Sequence, residues 1–189
     1  EDLLEVSRFD AEVAVWEPFD FDLVRLIERC IEDVRANAHD HPISVEIEHE
    51  TEQVMVKADI RRVERIMRNL LSNALDHADE RPIKVSVVAT ETEVGVGVRD
   101  FGPGMDQTSL SRVFDRFWRA DPSRARVRGG TGLGLSIALE DARLHNGELD
   151  AWGSPGQGAH FVLTLPLIAG AQISGRPIRP QPKDYPQPL

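Results

Sequence analysis

Residues 128 to 147 read RGGTGLGLSIALEDARLHNG, with glycines at 129, 130, 132 and 134 just ahead of a helical pattern. Glycines let backbone amides approach a ligand closely, and the free N–H groups of a first helical turn attract anions, so a phosphate fits this arrangement. The run is not a P-loop, because no Lys-Ser/Thr pair follows the glycines. Nor is it a dinucleotide fingerprint: the spacing of Gly130, Gly132 and Gly134 is wrong and an arginine-rich loop precedes it in place of a strand. Arg112, Arg116, Arg119, Arg124, Arg126 and Arg128 crowd into the same region. They make it basic within a chain of formal net charge -10, which suits an anion whose charge no P-loop lysine handles.

Two further stretches carry usable groups. In RRVERIMRNLLSNALDHA, at about 100° per residue, Arg62, Arg65, Asn69, Asn73, Asp76 and His77 share one sector of a helix. Asn73 offers an amide oxygen, and Mg²⁺ takes hard oxygen ligands that it commonly shares with substrate phosphates. In RDFGPGMD, Asp100 closes a β-rich run and Gly102 and Gly104 follow it in a loop. A carboxylate there accepts hydrogen bonds from the exocyclic amine of adenine, whereas guanine presents an acceptor at that edge and is repelled. The three stretches together suit ATP with Mg²⁺. Each alone also has a plainer reading, as surface asparagines, a turn and a hinge, so it is their combination that points to a nucleotide.

The elements that must position these groups are legible in outline. Leu23, Ile27, Ile31 and Val34 recur at helical spacing and predict a first helix over 21–38, with Asp20 or Asp22 as its N-cap. ISVEIEH and EQVMVKA alternate as short strands and predict a hairpin. Asp59 caps a second helix over 60–78, and IKVSVVAT with EVGVGVRD predicts another hairpin. A short helix near 107–117 leads to the third long helix, which closes at HNG with Gly147 as its C-terminal cap. Strands near 148–152 and 159–165 flank the turn GSPGQG. The expected fold class is α+β: a two-layer α/β sandwich whose mixed, mostly antiparallel sheet carries three helices on one face. Beyond Pro166 the segment GRPIRPQPKDYPQPL has five prolines and little to bury, so residues 168–189 are expected to be a disordered tail.

Composition narrows the function. With 189 residues the chain can bury a proper core, and its acidic balance argues against a nucleic-acid surface. Cys30 is the only cysteine, so no intrachain disulfide forms and a reducing compartment is natural. No stretch approaches the ~18 apolar residues of a membrane span, which fits a cytoplasmic domain.

RRVERIMRNLLSNALDHA, DFGPGM, VFDRFWR and GGTGLGLSI, in that order, resemble the N, G1, F and G2 boxes of the catalytic ATP-binding domain of sensor histidine kinases. The resemblance covers about residues 18–167 and implies the Bergerat ATP-binding fold, with a lid over about 119–130. It implies that Asn73 is the Mg²⁺ ligand, with Asn69 beside phosphate and metal and His77, further along the same face, among the nucleotide-binding residues. Asp100 becomes the adenine-selecting carboxylate, with Gly102 and Gly104 shaping the base pocket. Arg116 and Arg119 approach the phosphates, and Gly130, Thr131, Gly132, Leu133, Gly134 and Leu135 form the phosphate-side hinge.

Residues 1–17 resemble the end of the dimerising helix, and none of the six histidines lies in an acceptor-like context. The resemblance therefore implies an acceptor histidine upstream, on a dimerisation domain of the same kinase, and a response regulator downstream. It also implies a monomeric fragment of a membrane-anchored homodimer. The N box departs from the common pattern at Asp76, where many members carry lysine, and Asp76 resembles the gyrase, Hsp90 and MutL ATPases instead. Those ATPases place a water-activating glutamate where this chain has Asn69, and an amide cannot serve as that base. A hydrolytic ATPase and a noncatalytic ATP-sensing module are the alternatives.

Overall fold

The computed structural model describes residues 16–37, 45–49, 52–119 and 131–182. Strand β1 (Phe19–Asp22) leads into helix α1 (Leu23–Asn37), followed by β2 (Val45–His49) and β3 (Met55–Ala58). Helix α2 (Ile60–His77) precedes the antiparallel pair β4 (Ile83–Ala89) and β5 (Glu93–Asp100). The short α3 (Gln107–Arg112), α4 (Gly134–Leu144), β6 (Glu148–Gly153) and β7 (Ala159–Pro166) complete the described elements.

A five-stranded sheet runs in the order β2-β4-β5-β7-β6, and β1 pairs with β3 in a small second sheet. The class is the expected α+β sandwich, mixed and mostly antiparallel. The expected hairpin between the second and third strands does not form. β2 lies parallel to β4, with Val45 opposite Ile83, while β3 pairs antiparallel with β1, with Phe21 opposite Val56. The chain enters α1 later than expected because Phe19–Asp22 is a strand, and the Asp22 carboxylate accepts from the Val24 and Val54 N–H groups.

The core lies between sheet and helices. Val85, Val87, Val94, Val96, Val98, Phe161, Leu163 and Leu165 point inward at alternate positions, as a pleated strand requires. They meet Leu23 and Ile27 of α1, Val63, Ile66, Met67 and Leu70 of α2, and Ala138 and Ala142 of α4. Asp59 caps α2 as expected, accepting from the Arg61 and Arg62 N–H groups. Cys30 is fully enclosed, and burial pushes its thiol up to about 11, so the thiolate that would react is scarce.

Helix α4 ends in a Schellman arrangement. Asn146, not the expected Gly147, takes the left-handed conformation (φ 55°), and the Gly147 N–H reaches back to the Ala142 carbonyl at 2.9 Å. Gly147 is required for a different reason: a methyl there would sit 2.4 Å from the Thr164 carbonyl oxygen.

The segment after β7 is a second correction. Residues 168–182, expected to be disordered, form neither helix nor strand but lie along the outer face of the sheet. Ser174 donates to the Glu93 carboxylate through both its N–H and its hydroxyl, the Gly175 N–H donates to the same oxygen, and His160 donates to the Pro180 carbonyl at 2.7 Å. Arg176 pairs with Glu148 and Asp150 of β6. Gly95 makes room for this strap: a methyl there would meet Ile178 and Pro177 at 3.1 and 3.3 Å.

Candidate functional site

Three elements converge on one side of α2. At its end, the loop after β5 presses so closely that a methyl on Gly102 would lie 1.9 Å from the His77 carbonyl oxygen. Two turns earlier, the start of α4 approaches Asn69: a methyl on Gly134 would come 3.0 Å from the Asn69 amide oxygen. Asn73 lies between these two approaches, one turn from Asn69 and one from His77, and both asparagines are half-buried. The adjoining side of α2 carries Val63, Ile66, Met67, Leu70 and Ala74 into the core. That burial fixes the rotation of the helix and with it the direction of the polar sector.

Asp100 ends β5 on the helix side of the sheet and is 2% exposed. Its Oδ1 accepts from the Gly102 N–H at 2.9 Å and the Ala159 N–H at 3.2 Å. Its Oδ2 is buried with no hydrogen-bond partner among the described residues. Burial pushes the carboxyl above its ordinary range, against the pull of the two backbone N–H groups and of His77 and Arg99. Such a group is an acceptor held in place for a donor, because an unsatisfied buried polar atom is costly unless something arrives to pair with it.

The loop beyond it is shaped by contact with the β6–β7 turn. Gly104 takes φ 72°, and a methyl there would fall 1.9 Å from the Ser154 carbonyl oxygen; a methyl on Gly158 would fall 2.1 Å from that of Asp100. Ala159 and Gly158 are the members that the sequence did not reveal. GSPGQG reads simply as a turn, and nothing in its letters shows that the strand after it donates to Asp100.

The glycine run delivers a helix start. Gly132 has φ 74° and sits against the backbone of Phe117, whose N–H donates to the Gly132 carbonyl at 2.9 Å. The cap position is Leu133, with no side-chain capping bond, and Ser136 turns its hydroxyl to the Leu133 carbonyl. The first-turn N–H groups of α4 thus keep their capacity for an anion beside Asn69. Thr131 is exposed, while Leu135 packs against the core.

The arginines divide. Arg116 pairs with Glu140 of α4 on an exposed face, and Arg119 stands half-buried at the end of the described stretch. Gly130, Arg124, Arg126, Arg128 and nearly all of the expected lid lie outside the described residues. Among the described residues no cluster of three or more His, Cys, Asp or Glu side chains could hold a metal. A cation here would need oxygens from a ligand beside the asparagine amide.

A two-layer sandwich with an unsatisfied carboxylate at a strand end, close glycine contacts behind it and an uncapped helix start defines a nucleotide-binding domain of the class that works without a P-loop. The model of the family described as "Histidine kinase-, DNA gyrase B-, and HSP90-like ATPase" matches residues 58–169, and the chain belongs to that family. The sensor histidine kinase MtrB of Mycolicibacterium paratuberculosis is 48% identical over 187 residues, covering 99% of this chain and 33% of that protein. The chain thus spans about one third of the length of the curated relatives it matches. Among solved structures, the nucleotide-free catalytic domain of histidine kinase ThkA superposes with a TM-score of 0.70 at 26% identity, over 80% of this chain and 97% of that one. Full-length ShkA in complex with AMPPNP gives 0.76 at 25% identity, over 90% of this chain and 35% of that one. The fold is that of histidine kinase catalytic domains.

Proposed function

We propose that this domain binds ATP with Mg²⁺ and presents the γ-phosphoryl group to a histidine on a dimerisation domain of the same protein. The observation that carries the reading is the buried, partnerless Asp100 Oδ2. It is an acceptor for the adenine amine, while Gly102 and Gly104 leave no side chain between the base and the backbone. Asn73 supplies the protein oxygen for Mg²⁺, and Asn69 lies where the start of α4 meets the phosphates. Gly130 to Leu135 form the hinge on that side, with Arg116 and Arg119 as the nearby cations. Arg116 must leave Glu140 to reach a phosphate, a modest step for an exposed pair.

The chain's own contribution to phosphoryl transfer is positioning and charge stabilisation. No carboxylate occupies position 69 to activate water, which favours transfer over hydrolysis. The relatives named sensor histidine kinases support a response regulator as the downstream partner, of the MtrA type given the likeness to MtrB. They also support a membrane-anchored homodimer, with this domain on the cytoplasmic side. Among the described residues no helix is long and apolar enough to cross a membrane.

Calorimetric titration with a nonhydrolysable ATP analogue, with and without Mg²⁺, tests the site. The expected result is Mg²⁺-dependent binding, no comparable binding of the GTP analogue, and loss of the Mg²⁺ dependence in Asn73→Ala. Equal binding of both nucleotides, or an Asn73→Ala chain that binds like the wild type, overturns the assignment.

A further inference from the structure

Helices α2 and α4 run antiparallel, and three contacts fix their register. Gly134 at the start of α4 meets Asn69, Asp141 meets Arg62 and Arg65, and His145 at the end of α4 accepts from the Asp59 N–H at 3.1 Å. The middle contact is the unusual one. Asp141 is completely buried, and Arg65 grips it with two parallel bonds, Nε to Oδ2 at 2.7 Å and Nη2 to Oδ1 at 2.8 Å. Arg62, itself 8% exposed, adds a third bond at 3.0 Å and holds Asp59 on its other side at 3.6 Å. The peptide carbonyl of Asp141 is bonded as well, to the His145 ring at 2.7 Å.

A buried ion cluster is weak evidence for stability, since well-packed apolar side chains of similar volume often do as well. It is stronger evidence for register. The other buried residues of α4, Ser136, Ala138 and Ala142, are all small, and its larger apolar side chains, Leu135 and Leu139, are only partly buried against the core. A bidentate Arg–carboxylate fork is directional and tolerates little sliding. A slip of one residue along a helix is about 1.5 Å, and about 1 Å of misplacement can cost a site a hundredfold in rate.

We propose that Asp141 is a positioning residue for the nucleotide site: through Arg62 and Arg65 it locks α4 on α2 and so sets where the first turn of α4 stands relative to Asn69. The inference rests on the nucleotide reading of that site and extends it to a residue that touches no ligand. Sequence alone conceals it, because Asp141 sits in LEDARLH among other charges that read as a solvated face.

The test separates register from folding. In Asp141→Leu/Arg62→Met/Arg65→Met the buried volume is refilled without charge, and Asp141→Asn keeps the shape but weakens the fork. Thermal midpoints, affinity for a nonhydrolysable ATP analogue, and the amide NMR resonances of Gly132 and Gly134 are measured, with Asp100→Asn as the control. The expected result is a triple variant that melts near the wild type, has displaced Gly132 and Gly134 resonances and binds about tenfold or more weakly, with Asp141→Asn in between. A folded triple variant of undiminished affinity, while Asp100→Asn binds weakly, overturns the positioning role and leaves the nucleotide site standing. Undiminished affinity in Asp100→Asn itself overturns the site reading beneath it. If the triple variant fails to fold, Asp141→Asn decides: wild-type affinity in that chain also overturns the proposal.

Discussion

Burial opposes ionisation of Asp100, and that opposition links binding to stability. A carboxyl whose pKa is raised on folding contributes its stability below the unfolded value of 3.8 and loses it as the pH rises through the folded value. Above that folded value the ionised side chain weighs against the nucleotide-free domain, and a donor paired with Oδ2 relieves it. Asp100→Asn keeps an oxygen for the Gly102 and Ala159 N–H groups but turns an amide N–H₂ toward the amine. Hydrogen bonds to charged groups contribute about 1.5–3 kcal/mol, so ATP analogue affinity should fall about 10- to 100-fold, with no drop in thermal midpoint. Discrimination against GTP should narrow, because guanine presents an oxygen to the new donor. Titrations beside melting curves check both; a destabilised variant with intact affinity would contradict the assignment.

At the scale of elements, the site depends on how closely backbones approach, and Gly102 tests this directly. Its missing side chain faces a backbone carbonyl of α2, so Gly102→Ala must push the loop and the helix end apart. Overpacking of this kind costs about 1–3 kcal/mol, and chemical denaturation should show that loss together with weakened nucleotide binding. Unaltered stability would mean that the loop stands further from α2. The sequence showed the glycine and the asparagine face because turn residues and helical periodicity are local signals. It revealed the strands too, but not all their partners: alternation in residues 43–49 and 52–58 marks two strands equally well whether they pair with each other or not. The real partner of β2 is β4, beyond the whole of α2, and a parallel pairing of that kind leaves no turn signature. The Asp141 cluster was illegible for the same reason: its partners lie on another helix, 76 and 79 residues away.

Across the whole molecule, β5 divides two functions between its faces. Val94, Val96, Val98 and Asp100 point to the helices and the site, while Glu93 and Gly95 face the strap. Proline content suggested a tail with little to bury, yet Ile178 finds a seat over Gly95 and Glu93 gives the strap its latch. Glu93 is 3% exposed, with Ser174 and Gly175 of the strap on one carboxylate oxygen and Thr90 and Thr92 on the other. The Ser174 hydroxyl and N–H, followed by Thr92 and Thr90, pull its carboxyl from 4.5 down to about 2. A depressed carboxyl contributes stability above its unfolded value and loses it as the pH falls through the folded one. The latch should hold at neutral pH and open progressively between pH 4.5 and about 2. Hydrogen exchange at the Ser174 and Gly175 amides, expressed as protection relative to an unstructured chain, reads the latch directly. Glu93→Gln replaces the charged acceptor with a weaker one, so protection at these two amides should fall at neutral pH. Nucleotide affinity should stay unchanged, because the strap and Asp100 lie on opposite faces of the sheet. Retained protection in Glu93→Gln would show that Ile178 and the Arg176 pairs hold the strap without the latch, whereas a loss of nucleotide affinity would mean that the two faces of β5 are coupled.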